Sequence, residues 1–273
     1  MCETCGCSDA LNHTHHDHDH DHDHDHDHDH DHDHEDHFHG THTHDGHTHF
    51  HPPTPTRSVR VENDILAVNH AVAETNRRWL ERYRIHAINL ISSPGSGKTL
   101  LLEKTLKRLQ NRIPTAVIVG DLQTDLDAQR LQGLGARVKQ IETVNACHLD
   151  AERVSQVLPG VIDETTRLLF IENVGNLVCP AAFDLGETER VVLLSTPEGE
   201  DKPLKYPVPF IKASMVLVTK TDLAPHLTWK RDACLDALKR VNPSTTILEL
   251  SALTGEGMDA WIHHLEQAVR LKG

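Results

Sequence analysis

The chain is poor in aromatics and, over its first 51 residues, has no Lys or Arg at all. Aromatics make up 4% of the 273 residues, so a core must come from aliphatic side chains. No stretch approaches the ~18 consecutive apolar residues that a membrane span needs, which argues against a membrane-embedded chain. The amino-terminal residues are acidic and lack an apolar h-region, so no secretory signal is expected. A cytoplasmic chain with six reduced cysteines is the expectation that follows.

Basic residues are not in excess elsewhere. The net charge is -14; residues 1–51 carry 14 acidic side chains, leaving 27 acidic and 27 basic ones in the remainder. The imbalance therefore sits wholly in the tail. The rest is formally neutral, with no Lys/Arg run for nucleic acid or for an anionic membrane surface.

Residues 1–57 are also nearly free of aliphatic side chains and hold 19 of the 25 histidines. Such a segment cannot bury enough apolar surface to offset its chain entropy, and a disordered metal-binding tail is expected. It divides into a cysteine-rich head (1–12), a His/Asp tract (13–51) and a Pro-stiffened linker (52–57). Residues 58–273 remain, enough for one domain.

In that remainder, apolar residues at helical spacing predict a helix over residues 62–83, with Asn63 or Asp64 as its cap. Short apolar runs at 85–91, 116–119, 168–171, 191–194, 215–218 and 246–250 predict strands. Helical patterns at 99–110, 126–134, 148–158, 229–241 and 258–271 lie between or after them. The alternation predicts an α/β fold: a mostly parallel sheet flanked by helices. Ligands of such sheets sit beyond the carboxyl ends of the strands.

Ser92-Ser93-Pro94-Gly95-Ser96-Gly97-Lys98-Thr99 follows the first run and opens a Leu-rich helix, which is the context a P-loop requires. Gly95, Ser96 and Gly97 turn backbone N–H groups toward phosphates, at a helix N-terminus that favours anions. Lys98 reaches the β and γ oxygens, and Thr99 offers a hydroxyl to Mg²⁺. Ser92 stands where the pattern has its first glycine. Thr219-Lys220-Thr221-Asp222 ends another run and varies the Asn-Lys-x-Asp guanine signature. A carboxylate at Asp222 can accept from N1–H and the exocyclic amine of guanine, a donor pair adenine lacks, while Lys220 lays its stem on the base. Ser251-Ala252-Leu253, after the last run, is similar to the Ser-Ala-Lys loop that closes over guanine. Together these favour GTP over ATP.

Asp121 and Asp125 follow the second strand, and either can bind Mg²⁺ or position water. Glu172-Asn173-Val174-Gly175 gives an acid and then a glycine, as in the Asp-x-x-Gly switch with Glu for Asp. Lys98, Asp121 and Glu172 are the candidate catalytic set.

Three sets of metal ligands stand apart. Cys2, Cys5 and Cys7 offer three thiolates within six residues, with the terminal amine near enough to be a fourth ligand. The nine Asp-His pairs of residues 17–34 suit loose, exchangeable binding of Ni²⁺, Cu²⁺ or Zn²⁺. Cys147-His148 and Cys179 lie on the expected phosphate rim, where chemistry alone leaves both a ligand role and a buried structural role open. Cys234, in an amphipathic helix, reads as core.

Ser93-Pro94-Gly95-Ser96-Gly97-Lys98-Thr99, Ala146-Cys147-His148-Leu149-Asp150-Ala151 and Glu172-Asn173-Val174-Gly175-Asn176-Leu177-Val178-Cys179-Pro180 together resemble the HypB family, nickel-incorporation GTPases of the SIMIBI P-loop class in hydrogenase maturation. The resemblance runs from about residue 60 to the end. It implies nickel as the physiological metal, and a nickel/zinc site of Cys147, His148 and Cys179 at a GTP-dependent homodimer interface. It implies release of metal gated by hydrolysis. The implied partners are a HypA-type metallochaperone and the precursor of a hydrogenase large subunit. A urease-type nickel GTPase would be expected to carry Cys-Pro-His, which is missing.

Overall fold

The structure is a computed structural model that describes residues 42–44, 47–49, 57–121, 126–143 and 148–272. In the amino-terminal unit, β1 (His42–His44) pairs antiparallel with β2 (His47–His49). Composition did not foretell this pair, although the intervening Asp45-Gly46 is a dipeptide favoured in two-residue hairpin connections.

The unit from Glu62 onward is built on seven strands. They are β3 (His86–Ser92), β4 (Thr115–Asp121), β5 (Ala136–Glu142), β6 (Leu168–Gly175), β7 (Glu189–Ser195), β8 (Met215–Thr219) and β9 (Thr246–Glu249). Their order is β5-β4-β6-β3-β7-β8-β9, and every pairing is parallel. The P-loop strand β3 is central, between β6 and β7, so the crevice where the topology reverses opens at its carboxyl end. The helices are α1 (Arg57–Arg82), α2 (Lys98–Leu109), α3 (Leu126–Leu131), α4 (Ala151–Val161), α5 (Cys179–Ala182), α6 (Lys202–Lys205), α7 (Pro207–Ile211), α8 (Arg231–Val241) and α9 (Met258–Lys272).

Alternation along the strands sorts side chains to two faces. Ile88 and Leu90 of β3 and Leu168 and Phe170 of β6 pack with Leu102 and Leu106 of α2 and Trp261 and Leu265 of α9. Trp261 is fully buried and its indole N–H donates to Thr105 Oγ1 at 3.0 Å. Ala87, Leu169 and Ile171 face the other way, against Leu80 of α1 and Val154 and Leu158 of α4. Because both faces are covered, the central strands are almost uniformly buried.

The structure corrects several expectations. α1 begins at Arg57, so Asn63 and Asp64 lie within the helix and do not cap it. α4 starts three residues later than predicted, because the Asp150 carboxylate accepts from the Arg153 N–H at 2.8 Å and caps it there. β5 was not anticipated. It is an edge strand whose only buried side chain is Ile141, so Ala-Arg-Val-Lys-Gln-Ile-Glu carries a weak apolar signal. Among the described residues, no helix is long and apolar enough to cross a membrane.

Candidate functional site

The loop between β3 and α2 owes its shape to two glycines. Gly95 and Gly97 have φ of 72° and 97°, which side chains with a Cβ rarely adopt. Gly97 stands at the N-cap of α2, putting Lys98 and Thr99 in its first turn. The Lys98 ammonium donates to Ser92 Oγ at 2.9 Å. The residue that departs from the usual glycine thus receives the phosphate-loop lysine.

Two further residues hold this loop, and the motif does not reveal them. Ser96 Oγ donates to Glu198 Oε1 at 2.8 Å, and Lys202 Nζ donates to Ser93 Oγ at 3.0 Å. Glu198 and Lys202 pair with each other at 3.0 Å. Burial raises the Glu198 carboxyl, but hydrogen bonds from Ser93, Ser195, Lys202 and Ser96 outweigh it and hold the group below the ordinary range. A sequence signal existed: Ser195 and Glu198 form a capping box just after β7.

Glu172, near the end of β6, is 3% exposed and accepts from Thr99 Oγ1 at 2.7 Å. Burial pushes its carboxyl up to about 7, against the charge of Lys98 and the Thr99 hydrogen bond. Its second oxygen is buried without a hydrogen-bond partner. An acceptor-only oxygen orphaned beside a hydroxyl suits a hard cation, so Thr99 and Glu172 fit Mg²⁺. A cavity of ≈ 490 Å³ runs along this rim, and Arg130 and Asp127 of α3 also line it. Asp121 closes β4, and Asp125 lies outside the described residues.

The strand-end motif of β8 meets the P-loop directly. Thr219 Oγ1 donates to Ser96 O at 2.9 Å, so the hydroxyl that replaces the usual Asn ties the two loops together. Lys220 takes a left-handed conformation (φ 58°), pinned through its carbonyl by Thr196 Oγ1 at 2.8 Å. Lys220, Asp222, Ser251, Ala252 and Leu253 share the walls of a ≈ 190 Å³ cleft with Ser96 and Gly97. The Leu253 side chain is 69% exposed, while Ser251 is fully buried and its hydroxyl accepts from the Thr254 N–H at 3.1 Å.

On the same rim, Cys179 begins α5 and is half-buried. The His148 ring stacks on Phe183, the residue that ends α5, with centroids 3.9 Å apart and planes at 25°. Burial lowers the His148 pKa, favouring the neutral imidazole that can ligate a metal. The next residue, Leu149, packs so closely on the end of β4 that a Cβ at Gly120 would come within 2.8 Å of its Cγ. Cys147, Cys2, Cys5 and Cys7 lie outside the described residues, as does the His/Asp tract apart from 42–44 and 47–49. Cys234 is fully buried in the α8 core, and burial pushes its thiol up to about 11, out of reach of ligand chemistry at neutral pH.

Among the described residues, one further group, His70, Glu74 and Asp184, brings three ligand atoms together. Arg77 already claims it, donating to both Asp184 oxygens at 2.9 and 2.8 Å and pairing with Glu74. A cation would have to displace that guanidinium.

A central P-loop strand, a phosphate rim and a base cleft define a nucleotide-binding P-loop NTPase, a class that hydrolyses nucleotides. The family model described as CobW/HypB/UreG, nucleotide-binding domain, matches residues 86–249. Hydrogenase maturation factor HypB of Rhizobium leguminosarum bv. viciae is 52% identical over 210 residues, covering 77% of this chain and 70% of that protein. The crystal structure of HypB from Archaeoglobus fulgidus superposes with a TM-score of 0.70 at 36% identity, covering 74% of this chain and 99% of that one. The structure of HypB from Helicobacter pylori in complex with nickel gives 0.69 at 35% identity, covering 74% and 95%. The chain belongs to the CobW/HypB/UreG family and, within it, to the HypB hydrogenase maturation factors.

Proposed function

We propose that the chain is a GTPase that binds, stores and delivers nickel for [NiFe]-hydrogenase maturation, with metal release coupled to GTP-dependent homodimerisation. The observation that carries the metal half is the stack of His148 on Phe183, which brings the His148 segment against the helix that Cys179 begins. Cys147, His148 and Cys179 are the proposed site for Ni²⁺ or Zn²⁺ at the homodimer interface. Cys2, Cys5 and Cys7 form a separate tight thiolate site, and residues 13–51 form a loose reservoir, ahead of a GTPase domain at 58–273.

In hydrolysis, water attacks the γ-phosphorus and the bond to the β,γ-bridging oxygen breaks, giving GDP and phosphate. Lys98 and the backbone around Gly95, Ser96 and Gly97 neutralise the phosphate oxygens. Thr99, together with Asp121, Asp125 or Glu172, holds Mg²⁺, which supplies further charge neutralisation when bound. Glu172 or Asp121 orients the attacking water. Asp222 and Lys220 select guanine, with Thr219, Ser251 and Ala252 shaping the cleft. The proposed partners are a HypA-type nickel metallochaperone and the hydrogenase large-subunit precursor, in the cytoplasm, with no nucleic acid and no membrane.

The test is nickel titration of the full chain with GDP and with a non-hydrolysable GTP analogue, paired with native mass measurement. Affinity is expected to differ at least about fivefold between the two, with a dimer only with the analogue. Equal nickel affinity in both states would remove the coupling. Asp222→Asn is expected to lose the preference for GTP over ATP; intact selectivity would overturn the base assignment.

A further inference from the structure

Glu172 of the phosphate rim and Cys179 are seven residues apart along the chain, and a buried polar line running through the sheet joins their segments a second time. It begins at Asn173, the neighbour of Glu172. Asn173 Oδ1 accepts from the backbone N–H of Leu149 at 3.2 Å and of Val174 at 3.0 Å. Its amide NH₂ donates to Asn89 Oδ1 at 3.3 Å, and the Asn89 NH₂ donates to Glu187 Oε1 at 3.3 Å. Glu187 Oε1 accepts from Arg190 Nε and Nη2 at 3.0 and 2.7 Å. The Arg190 guanidinium then donates to the carbonyls of Ala181 and Phe183, each at 2.9 Å.

Every side chain in this line is buried: Asn89 is at 0%, Asn173 at 1%, and Glu187 and Arg190 at 8%. The direction of each bond is forced. Arg190 can only donate, so Glu187 Oε1 accepts from it, and Asn89 offers its NH₂ to that same oxygen. That leaves Asn89 Oδ1 facing Asn173, which must donate, and Asn173 Oδ1 is left for the backbone N–H of Leu149. Apolar packing alone would have held this part of the sheet with less risk, because each buried polar group is costly if left unpaired.

The two ends of the line are what give it a use. One end holds Leu149, next to His148. The other holds Ala181 and Phe183, two and four residues after Cys179, and Phe183 carries the His148 ring. The Leu149 end is anchored at Asn173, beside Glu172, which touches Thr99 of the phosphate loop.

We infer that Asn89, Asn173, Glu187 and Arg190 form a positioning relay that sets the spacing of His148 and Cys179 according to whether the Thr99–Glu172 pair is engaged by nucleotide. The inference rests on the reading of Cys147, His148 and Cys179 as nickel ligands that respond to nucleotide. A shift of Glu172 moves Asn173 with it, and the directional bonds pass that shift to both ligand-bearing segments. Such a chain is a physical warrant for coupling only if breaking it uncouples the sites.

The test uses full-length protein in which Cys2, Cys5 and Cys7 are replaced by Ala, so that thiolate-to-nickel absorbance reports Cys147 and Cys179 alone. Chelator-buffered Ni²⁺ is titrated with GDP and with a non-hydrolysable GTP analogue. Asn89→Ser and Arg190→Lys break the line at separate points without touching a proposed nucleotide or metal ligand. The reference protein is expected to show at least about a fivefold affinity ratio between nucleotide states. Both variants, checked as folded by circular dichroism, are expected to bring that ratio below about twofold while nucleotide affinity without metal stays within about twofold. A purely structural role would lower the melting temperature and leave the ratio unchanged, and that result overturns the relay. Collapse in only one variant also overturns it, since a serial line fails wherever it is cut. A ratio near one in the reference protein itself sinks the functional reading, and the relay with it.

Discussion

The phosphate loop and the Cys179 segment lie on one rim but are built by opposite means. The first gets its shape locally, from Gly95 and Gly97 at positive φ and from a helix that starts at Lys98. The second is a helix of four residues, too short to hold itself, and it borrows its position from Arg190 and from the ring stack with His148. Local geometry makes a site that distant contacts, such as Glu198 on Ser96, brace but do not shape. Borrowed geometry makes one that distant side chains can move.

The contrast breaks most sharply at the lysine. Lys98→Ala is expected to weaken triphosphate binding and turnover by about 100-fold or more, while leaving nucleotide-free nickel affinity unchanged. Equilibrium titration with a fluorescent GTP analogue and with nickel checks both halves. Cys179→Ser should do the reverse. It is expected to cost at least about tenfold in nickel affinity at that site, with GTP affinity untouched when metal is absent.

Glu172→Gln probes where the two regions meet. Because burial raises the Glu172 carboxyl to about 7, its stabilising contribution is full below the unfolded value near 4.5 and is lost as pH rises through 7. Nucleotide-free Glu172→Gln should therefore melt above the parent at pH 8. The lost penalty is about 3 kcal/mol, on the order of 5–10 °C, and the two should melt alike at pH 4. The same variant should hydrolyse GTP more slowly at saturating magnesium. Equal melting at pH 8 would show that the carboxyl is not perturbed in this way. The smallest effect is expected at the brace: Glu198→Gln should weaken nucleotide binding only about fivefold, since Ser96 keeps a neutral acceptor.

Much of the frame is legible in the sequence. The six predicted strands all occur, and most are buried parallel strands that read as apolar runs. β9, at the sheet edge with no fully buried residue, is read from Ile247 and Leu248. β5 escaped because an edge strand with one buried residue leaves a faint pattern. The start of α4 was misread because one capping carboxylate, Asp150, outweighed the apolar spacing. Thr219 departs from the Asn of the guanine signature, and in the fold its hydroxyl fastens the base loop to Ser96.

By itself, then, the sequence determined what depends on neighbours along the chain: the P-loop, the strand-helix alternation, the charge-segregated tail and the family. Only the tertiary structure decided which side chains would meet across the sheet. Glu198 on Ser96, Asn173 on Leu149 and Arg190 on Ala181 are such meetings, between 9 and 102 residues apart. No local pattern encodes the bond between Ser96, which follows β3, and Glu198, which follows β7, because those strands bring the two together only when they pair.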